Sequence, residues 1–388
     1  MDLLADDKGR RRERWAVALL LMVSVLTALG LAEAVVRLLP STALGFEYSA
    51  GRFTKPAEFE YPNDYNSRGF HDVVHGPKQA GVQRVLLLGD SYVEAYTVPL
   101  LQTVGRRLEH HLDSSEPGRF EVVAIGRSTW GQAHQLEMLR RLGPELRPDV
   151  VVTLFLSAND IRDNSPELQE AFEAQRARVR FPWRGWPRFS GDDAPLFVLR
   201  RSRLNQLLSH RLALAGSGRD TGTIPIDYLV YATPPDESWR RAWARTATLV
   251  RKTHELSREL GARYALVAAS TPHGVLGAED GLRALIEAYP AMQHGEWDLD
   301  APNRLIARLC RGEGIPFLDL ERRFRDETRG SGRRLHWKYD GHWNAAGNDL
   351  AAQSMAPLVI ELLHASSKVS EVDLRGPDAP VQAVAGAE

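Results

Sequence analysis

Only one of the 388 residues is a cysteine, Cys310. That excludes an intrachain disulfide framework and any zinc site built from several thiolates. Cys310 shares an apolar helical face with Leu305, Ile306 and Leu309, the setting of an inert, packed thiol and not of a redox centre. An excess of positive charge is also missing. Lys and Arg number 49 against 50 Asp and Glu, a net charge of −1, so no global basic field exists to hold nucleic acid. The sequence contains no internal repeat. With 43% hydrophobic and 26% charged residues it is neither collagen-like nor mostly disordered, and its length suits one large domain or two modest ones.

What is present begins with a long apolar run. From Trp15 to Ala32 no residue is charged. As a helix rising about 1.5 Å per residue it is about 27 Å long, close to the roughly 30 Å hydrocarbon core of a bilayer. Lys8, Arg10, Arg11, Arg12 and Arg14 precede it, a flank that the positive-inside rule keeps in the cytoplasm. The expectation is a cytoplasmic basic segment over 1–14, a single-pass transmembrane anchor over 15–39, and the remaining chain in the periplasm or outside the cell. The alternative is a cleaved signal peptide, with Ala32-Glu33-Ala34 as a small-x-small cleavage site. The run exceeds a usual signal core, and Val35, Val36, Leu38 and Leu39 extend it past Glu33, which favours a retained anchor. Residues 40–80, rich in Pro, Gly, Asn and aromatics, read as a tether against a domain edge. Residues 365–388, rich in Ala, Pro, Val and Gly, read as a disordered tail.

Between 81 and 364 strand and helix signals alternate. Short apolar runs at 84–89, 120–126, 150–156, 264–269 and 315–320 have the character of strands buried on both faces. Between them lie helical patterns: Leu101, Val104, Leu108 and Leu112; Ala133, Leu136, Leu139 and Leu142, stopped by Gly143-Pro144; Leu249, Val250, Leu256 and Leu260, ended by Gly261; Leu305 to Cys310; and a last helix after Asn348. Repeated βα units predict a three-layer α/β/α domain on a parallel five-stranded sheet, with its site at the C-terminal ends of the strands.

The polar residues collect at those ends. Strand one ends in Gly89-Asp90-Ser91, strand two near Gly126 to Gly131, strand three at Ser157-Ala158-Asn159-Asp160, and Asp340-Gly341-His342-Trp343-Asn344 follows strand five. A serine hydroxyl needs an adjacent imidazole to take its proton. A carboxylate two residues before that imidazole can hold its useful tautomer. Ser91, His342 and Asp340 supply these parts, and the Asn159 amide with the Ser91 N–H can receive an oxyanion. Taken singly, Gly89-Asp90 reads equally as a strand-ending turn, Asn159-Asp160 as a helix cap and His342 as a surface histidine. Their order, each at a strand end or in the C-terminal loop, favours a site.

These segments resemble the consensus blocks of the SGNH/GDSL hydrolase superfamily. The wider pattern is similar to its membrane-anchored bacterial members: Asn66-Ser-Arg-Gly-Phe70, Val85-Leu-Leu-Leu-Gly-Asp-Ser91, Pro148-Asp149-Val150 leading to Asn159-Asp160, and Asp340-Gly-His-Trp-Asn-x-x-Gly347. The resemblance spans roughly 64–165 and 262–360. It implies a flavodoxin-like fold, a Ser91-His342-Asp340 triad without a G-x-S-x-G elbow, and an oxyanion hole shared by Ser91, a second-block residue and Asn159. It implies neither cofactor nor metal. Three departures stand out. The second-block glycine falls on Thr129, the third block opens with Ser157 where glycine is usual, and D-x-x-H becomes D-x-H, with Tyr339 at the usual aspartate position. Asp90 reads as structural, tying down the serine turn.

An insertion over about 165–240 interleaves Arg176, Arg178, Arg180, Phe181, Trp183, Arg184, Trp186 and Arg188. Stacking on sugars or clamping anions is one use of such residues; packing, or contact with anionic lipid, is the favoured one. The function expected is an extracytoplasmic serine esterase or acyltransferase acting on O-acyl groups, such as O-acetyl, of a cell-envelope glycan. The partners expected are that acylated carbohydrate and the membrane, with no nucleic acid. A catalytically degenerate glycan-binding domain is the alternative. A metallophosphoesterase would want a second carboxylate three residues after Asp90, where Val93 stands.

Overall fold

The computed structural model describes residues 3–39, 48–49, 52–53, 58–59, 64–114, 117–179, 202–205, 207–208 and 223–373. Arg180, Phe181, Trp183, Arg184, Trp186 and Arg188 of the insertion lie outside the described residues, as do the last fifteen residues of the sequence. The chain divides into two units.

The first unit comprises Met1–Glu60, Val179–Asp220 and Lys338–Asp340. It contains α1 (Leu3–Leu38), within which Arg14–Leu38 includes an 18-residue stretch of mean hydropathy 2.3 with an exposed apolar surface. By length and hydropathy the helix suits a membrane anchor or a secretion signal. Near its end the Glu33 carboxylate accepts from Ser202 Oγ (2.8 Å) and from the backbone N–H groups of Arg203 (3.0 Å) and Leu204 (2.8 Å). Glu58 likewise accepts the backbone N–H groups of Lys338, Tyr339 and Asp340 at 2.7, 2.7 and 2.9 Å.

The second unit comprises Tyr61–Arg178, Thr221–Trp337 and Gly341–Glu388 and holds the five-stranded sheet. Its strands are β1 (Gln83–Gly89), β2 (Phe120–Gly126), β3 (Val150–Phe155), β4 (Arg263–Ala268) and β5 (Phe317–Asp319). They run parallel in the order β2-β1-β3-β4-β5, the flavodoxin-like order, with a topological switch point between β1 and β3. Along β1, Val85 and Leu87 face one apolar cluster and Leu86 and Leu88 the other, because successive side chains alternate across the sheet. The first face is covered by α3 (Val104–Asp113) and the C-terminal helix. The second is covered by α4 (Gln132–Leu146), α7 (Glu237–Glu259) and α9 (Ala301–Gly312), through residues such as Leu139, Val250 and Ile306. In chain order the remaining helices are α2 (Ser91–Glu94), α5 (Asp160–Asp163), α6 (Pro166–Val179), α8 (Ala278–Ala288), α10 (Leu320–Ser331) and α11 (Ala345–Asp373).

Two expectations need correction. Gly143-Pro144 does not stop its helix: α4 runs on to Leu146 and ends at Arg147, whose φ of 48° and N–H bond to Gly143 O (2.8 Å) form the cap. A proline in the last turn forfeits only one helical bond. Gly143 serves packing instead, since a Cβ there would come within 2.6 Å of Leu260 Cδ1. At the other end of the chain, α11 carries helix to Asp373, into the stretch expected to be a tail. Cys310 is buried on α9 as expected, and burial pushes its thiol up to about 12.

Candidate active site

The nucleophile candidate comes from how β1 ends. Asp90 caps α2, its Oδ1 accepting the Tyr92 N–H at 2.9 Å, and this turn holds Ser91 over the strand end. Space for the turn is made by glycines: a Cβ on Gly89 would meet Val93 Cγ2 at 2.4 Å, and one on Gly126 would meet Glu94 N at 2.7 Å and Asp90 O at 2.8 Å. The sheet register pairs these two glycines, Gly89 with Gly126. The ends of β1 and β2 therefore approach α2 at van der Waals distance.

The structure brings His342 to Ser91. His342 Nε2 lies 2.8 Å from Ser91 Oγ, across 251 positions of sequence. Four contacts hold its loop. Tyr92 OH donates to Gly341 O (3.2 Å), and Thr97 Oγ1 donates to Trp343 O (2.9 Å). Trp343 Nε1 donates to Ser270 Oγ (2.9 Å) at the end of β4, and Tyr92 meets Trp343 edge-on at 4.7 Å between centroids. His336, bridged to Trp343 and buried, is driven down to about 4 by desolvation, so an uncharged ring sits behind the loop.

The other nitrogen of His342, Nδ1, lies 3.2 Å from Tyr96 OH, and the two rings sit 5.0 Å apart. Tyr96 carries no motif in the sequence. Its signal was only its place, five residues after Ser91. Asp340 belongs to the first unit, where Glu58 holds its backbone N–H.

Asn159, just before α5, donates from Nδ2 to Asp90 Oδ2 (3.2 Å), leaving its second amide hydrogen for another acceptor. Asp90 is wholly buried; burial raises its pKa, opposed by the Tyr92 N–H, the neighbouring His342 and Asn159. Asp160 is raised much further, by burial and then by the charge of Asp90. Its Oδ2 accepts Gln132 Nε2 (2.7 Å) and Leu156 N (3.1 Å). The structural reading of Asp90 agrees with these contacts.

Thr129 is exposed in the loop after β2 and has φ +70°, a left-handed backbone. The residue before it is held by Glu94, a second group that sequence reasoning passed over: Glu94 Oε2 accepts the Ser128 N–H (2.7 Å) and hydroxyl (2.5 Å). Its position three residues after Ser91, in the same helical turn, was the available clue. Among the described residues no group of three or more His, Cys, Asp or Glu side chains is arranged to hold a metal ion.

Several solved structures are similar to this chain at low identity. "TesA" is 16% identical, with 72% of this chain and 99% of that one covered and a TM-score of 0.38. A two-domain esterase (CEX) active on acetylated mannans is 13% identical, covering 78% and 53%, with a TM-score of 0.38. The acetyl xylan esterase AlAXEase is 13% identical, covering 71% and 99%, with a TM-score of 0.35. Among curated proteins nothing matches. The sequence model of one family, however, matches residues 87–350, from β1 through the His342 loop to the start of α11, which is more than half of the protein. The chain belongs to the GDSL-like lipase/acylhydrolase family.

Proposed function

We propose that the protein is a serine ester hydrolase or O-acyltransferase that works outside the cytoplasm on O-acyl groups of a cell-envelope glycan. The observation that carries the chemistry is the 2.8 Å contact between His342 Nε2 and Ser91 Oγ. In this reading Ser91 Oγ attacks the ester carbonyl while its proton passes to His342 Nε2. The negative charge gathering on the carbonyl oxygen is received by the Ser91 N–H, the Thr129 N–H and the free hydrogen of the Asn159 amide. Collapse expels the alcohol, which takes the proton from His342, and leaves an acyl group on Ser91. Water or a sugar hydroxyl then attacks that ester, giving its proton to His342, and collapse breaks the Ser91 Oγ–acyl bond, returns the proton from His342 to Ser91 and releases the acid or the acylated sugar. In this reading Asp340, by its place two residues before His342 in the sequence, is the carboxylate that orients the ring and stabilises the imidazolium.

The setting comes from α1. An exposed apolar segment of 25 residues following a basic flank supports a retained single-pass anchor with a cytoplasmic N-terminus. A domain tethered to the outer face of that membrane meets acylated envelope polymers, which is why the acceptor is taken to be a glycan.

The full-length protein in detergent is expected to hydrolyse p-nitrophenyl acetate and to be labelled by a fluorophosphonate. Ser91→Ala should abolish both. Turnover that survives this substitution would eliminate the mechanism, and absent labelling together with saturable oligosaccharide binding would mark a binding domain instead.

A further inference from the structure

We propose that Glu94 is a positioning residue for the oxyanion site: it clamps the loop after β2 so that Thr129 keeps the left-handed backbone that glycine would adopt unaided. The proposal rests on the reading of Ser91 as the nucleophile and adds to it the device that compensates for the missing second-block glycine.

The need for a device follows from Thr129. A left-handed φ brings Cβ against the neighbouring carbonyl, and β-branched residues adopt it only where the surroundings impose it. Both flanks of Thr129 show such an imposition. On one side Ser128 gives its N–H and its hydroxyl to the same carboxylate oxygen of Glu94, at 2.7 and 2.5 Å. On the other, Gly131 packs against Asn164 so closely that a Cβ would fall 2.5 Å from Oδ1, and Asn164 Oδ1 accepts the Ala133 N–H at 3.2 Å. Within the loop, the Trp130 N–H returns to Arg127 O at 3.1 Å.

Glu94 is itself fixed from three directions. It closes α2, the turn that begins with Ser91, so the clamp ties the donor loop to the nucleophile's own element. Its other carboxylate oxygen accepts Tyr65 OH at 3.1 Å. Its carbonyl accepts His71 Nδ1–H at 2.9 Å, and Tyr65 stacks on His71 with centroids 5.3 Å apart. Tyr65 and His71 bracket Asn66-Ser-Arg-Gly-Phe70, a motif to which the acyl-transfer reading gives no task. Asn66 Oδ1 accepts the N–H groups of Arg68 (3.0 Å) and Phe70 (3.1 Å), folding the segment so that both brackets face Glu94. The motif thereby belongs to the clamp. Burial and the adjacent carboxylate raise Tyr65 well above an ordinary phenol, so it stays a donor.

The test is a double-mutant cycle on the full-length protein, read by p-nitrophenyl acetate kinetics and the rate of fluorophosphonate labelling. Glu94→Gln keeps the volume but turns one acceptor oxygen into a donor. In the Thr129 background it should lower kcat by about tenfold or more with KM nearly unchanged, a fraction of what loss of an entire oxyanion donor costs. In the Thr129→Gly background the same change should cost less than about threefold, because glycine holds positive φ without help. An equal loss in both backgrounds, or a Glu94→Gln protein with undiminished kcat, overturns the proposal. The two readings fail separately: Ser91→Ala that retains turnover removes the nucleophile, whereas inactive Ser91→Ala beside unaffected Glu94→Gln removes the clamp alone.

Discussion

At the scale of single residues the site is defined by which hydrogens remain available. Asn159 spends one amide hydrogen on Asp90, and that bond aims the other. Removing the side chain should therefore lower kcat of Asn159→Ala by about 10²–10³, the range for loss of one oxyanion donor, together with about 1–3 kcal/mol of stability from the acceptor left unpaired on buried Asp90. Equal kcat would show that Asn159 only braces Asp90. Ser91, Asn159 and His342, the candidates read from sequence, declare themselves by type and by position at strand ends or in the C-terminal loop. Glu94 and Tyr96 do not. Each lies in an ordinary helical or turn sequence, and each gains its role only from a partner that folding brings from elsewhere, Ser128 for one and the far His342 for the other.

At the scale of elements, the five strands were legible because a strand buried on both faces must be a nearly unbroken apolar run, and β1 and β3 are such runs. The end of α4 was not. Gly143-Pro144 satisfies the local rule for a helix stop, but the glycine is there to admit Leu260, a tertiary fact with no local trace. Gly126 makes the same point where it matters for chemistry. Its missing side chain lets the end of β2 touch the backbone of α2, and backbone cannot move aside as a flexible side chain can. Gly126→Ala should cost about 1–3 kcal/mol of stability by overpacking and reduce fluorophosphonate labelling, since the strain falls on the turn that carries Ser91. Chemical unfolding with labelling in parallel reads both. A variant of unchanged stability would mean that the two elements can part without loss.

At the scale of the whole molecule, the β2 edge of the sheet is held by charge. His75 Nε2 meets Asp72 Oδ2 at 2.9 Å and its Nδ1 meets Glu121 Oε1 at 2.6 Å; Arg84 pairs with Glu121 at 2.6 Å and Arg106 with Asp72 at 2.9 Å. Burial disfavours the charged ring of His75, but the hydrogen bonds and charges of Asp72 and Glu121 outweigh it and hold its pKa above the usual 6.5. A pKa raised by folding gives stability that is complete below the unfolded value and is lost as pH climbs through the folded one. His75→Gln should therefore be about 2 kcal/mol less stable than the parent below pH 6.5, with the gap closing at higher pH. Urea titrations across pH 5–9 measure it, and a gap that widens toward alkaline pH would refute the assignment.

The distance along the chain between Ser91 and His342 sets a timetable for synthesis. A ribosome delivers the hydroxyl 251 residues before its imidazole, and the loop carrying that ring docks through contacts to Tyr92, Thr97 and Ser270 just past β4. Until residue 342 has been added, the nascent polypeptide holds Ser91 as an alcohol without its imidazole partner. Under the proposed mechanism Ser91 gains its base only once the His342 loop has been made and seated, so the order of synthesis keeps that hydroxyl inert until the loop folds.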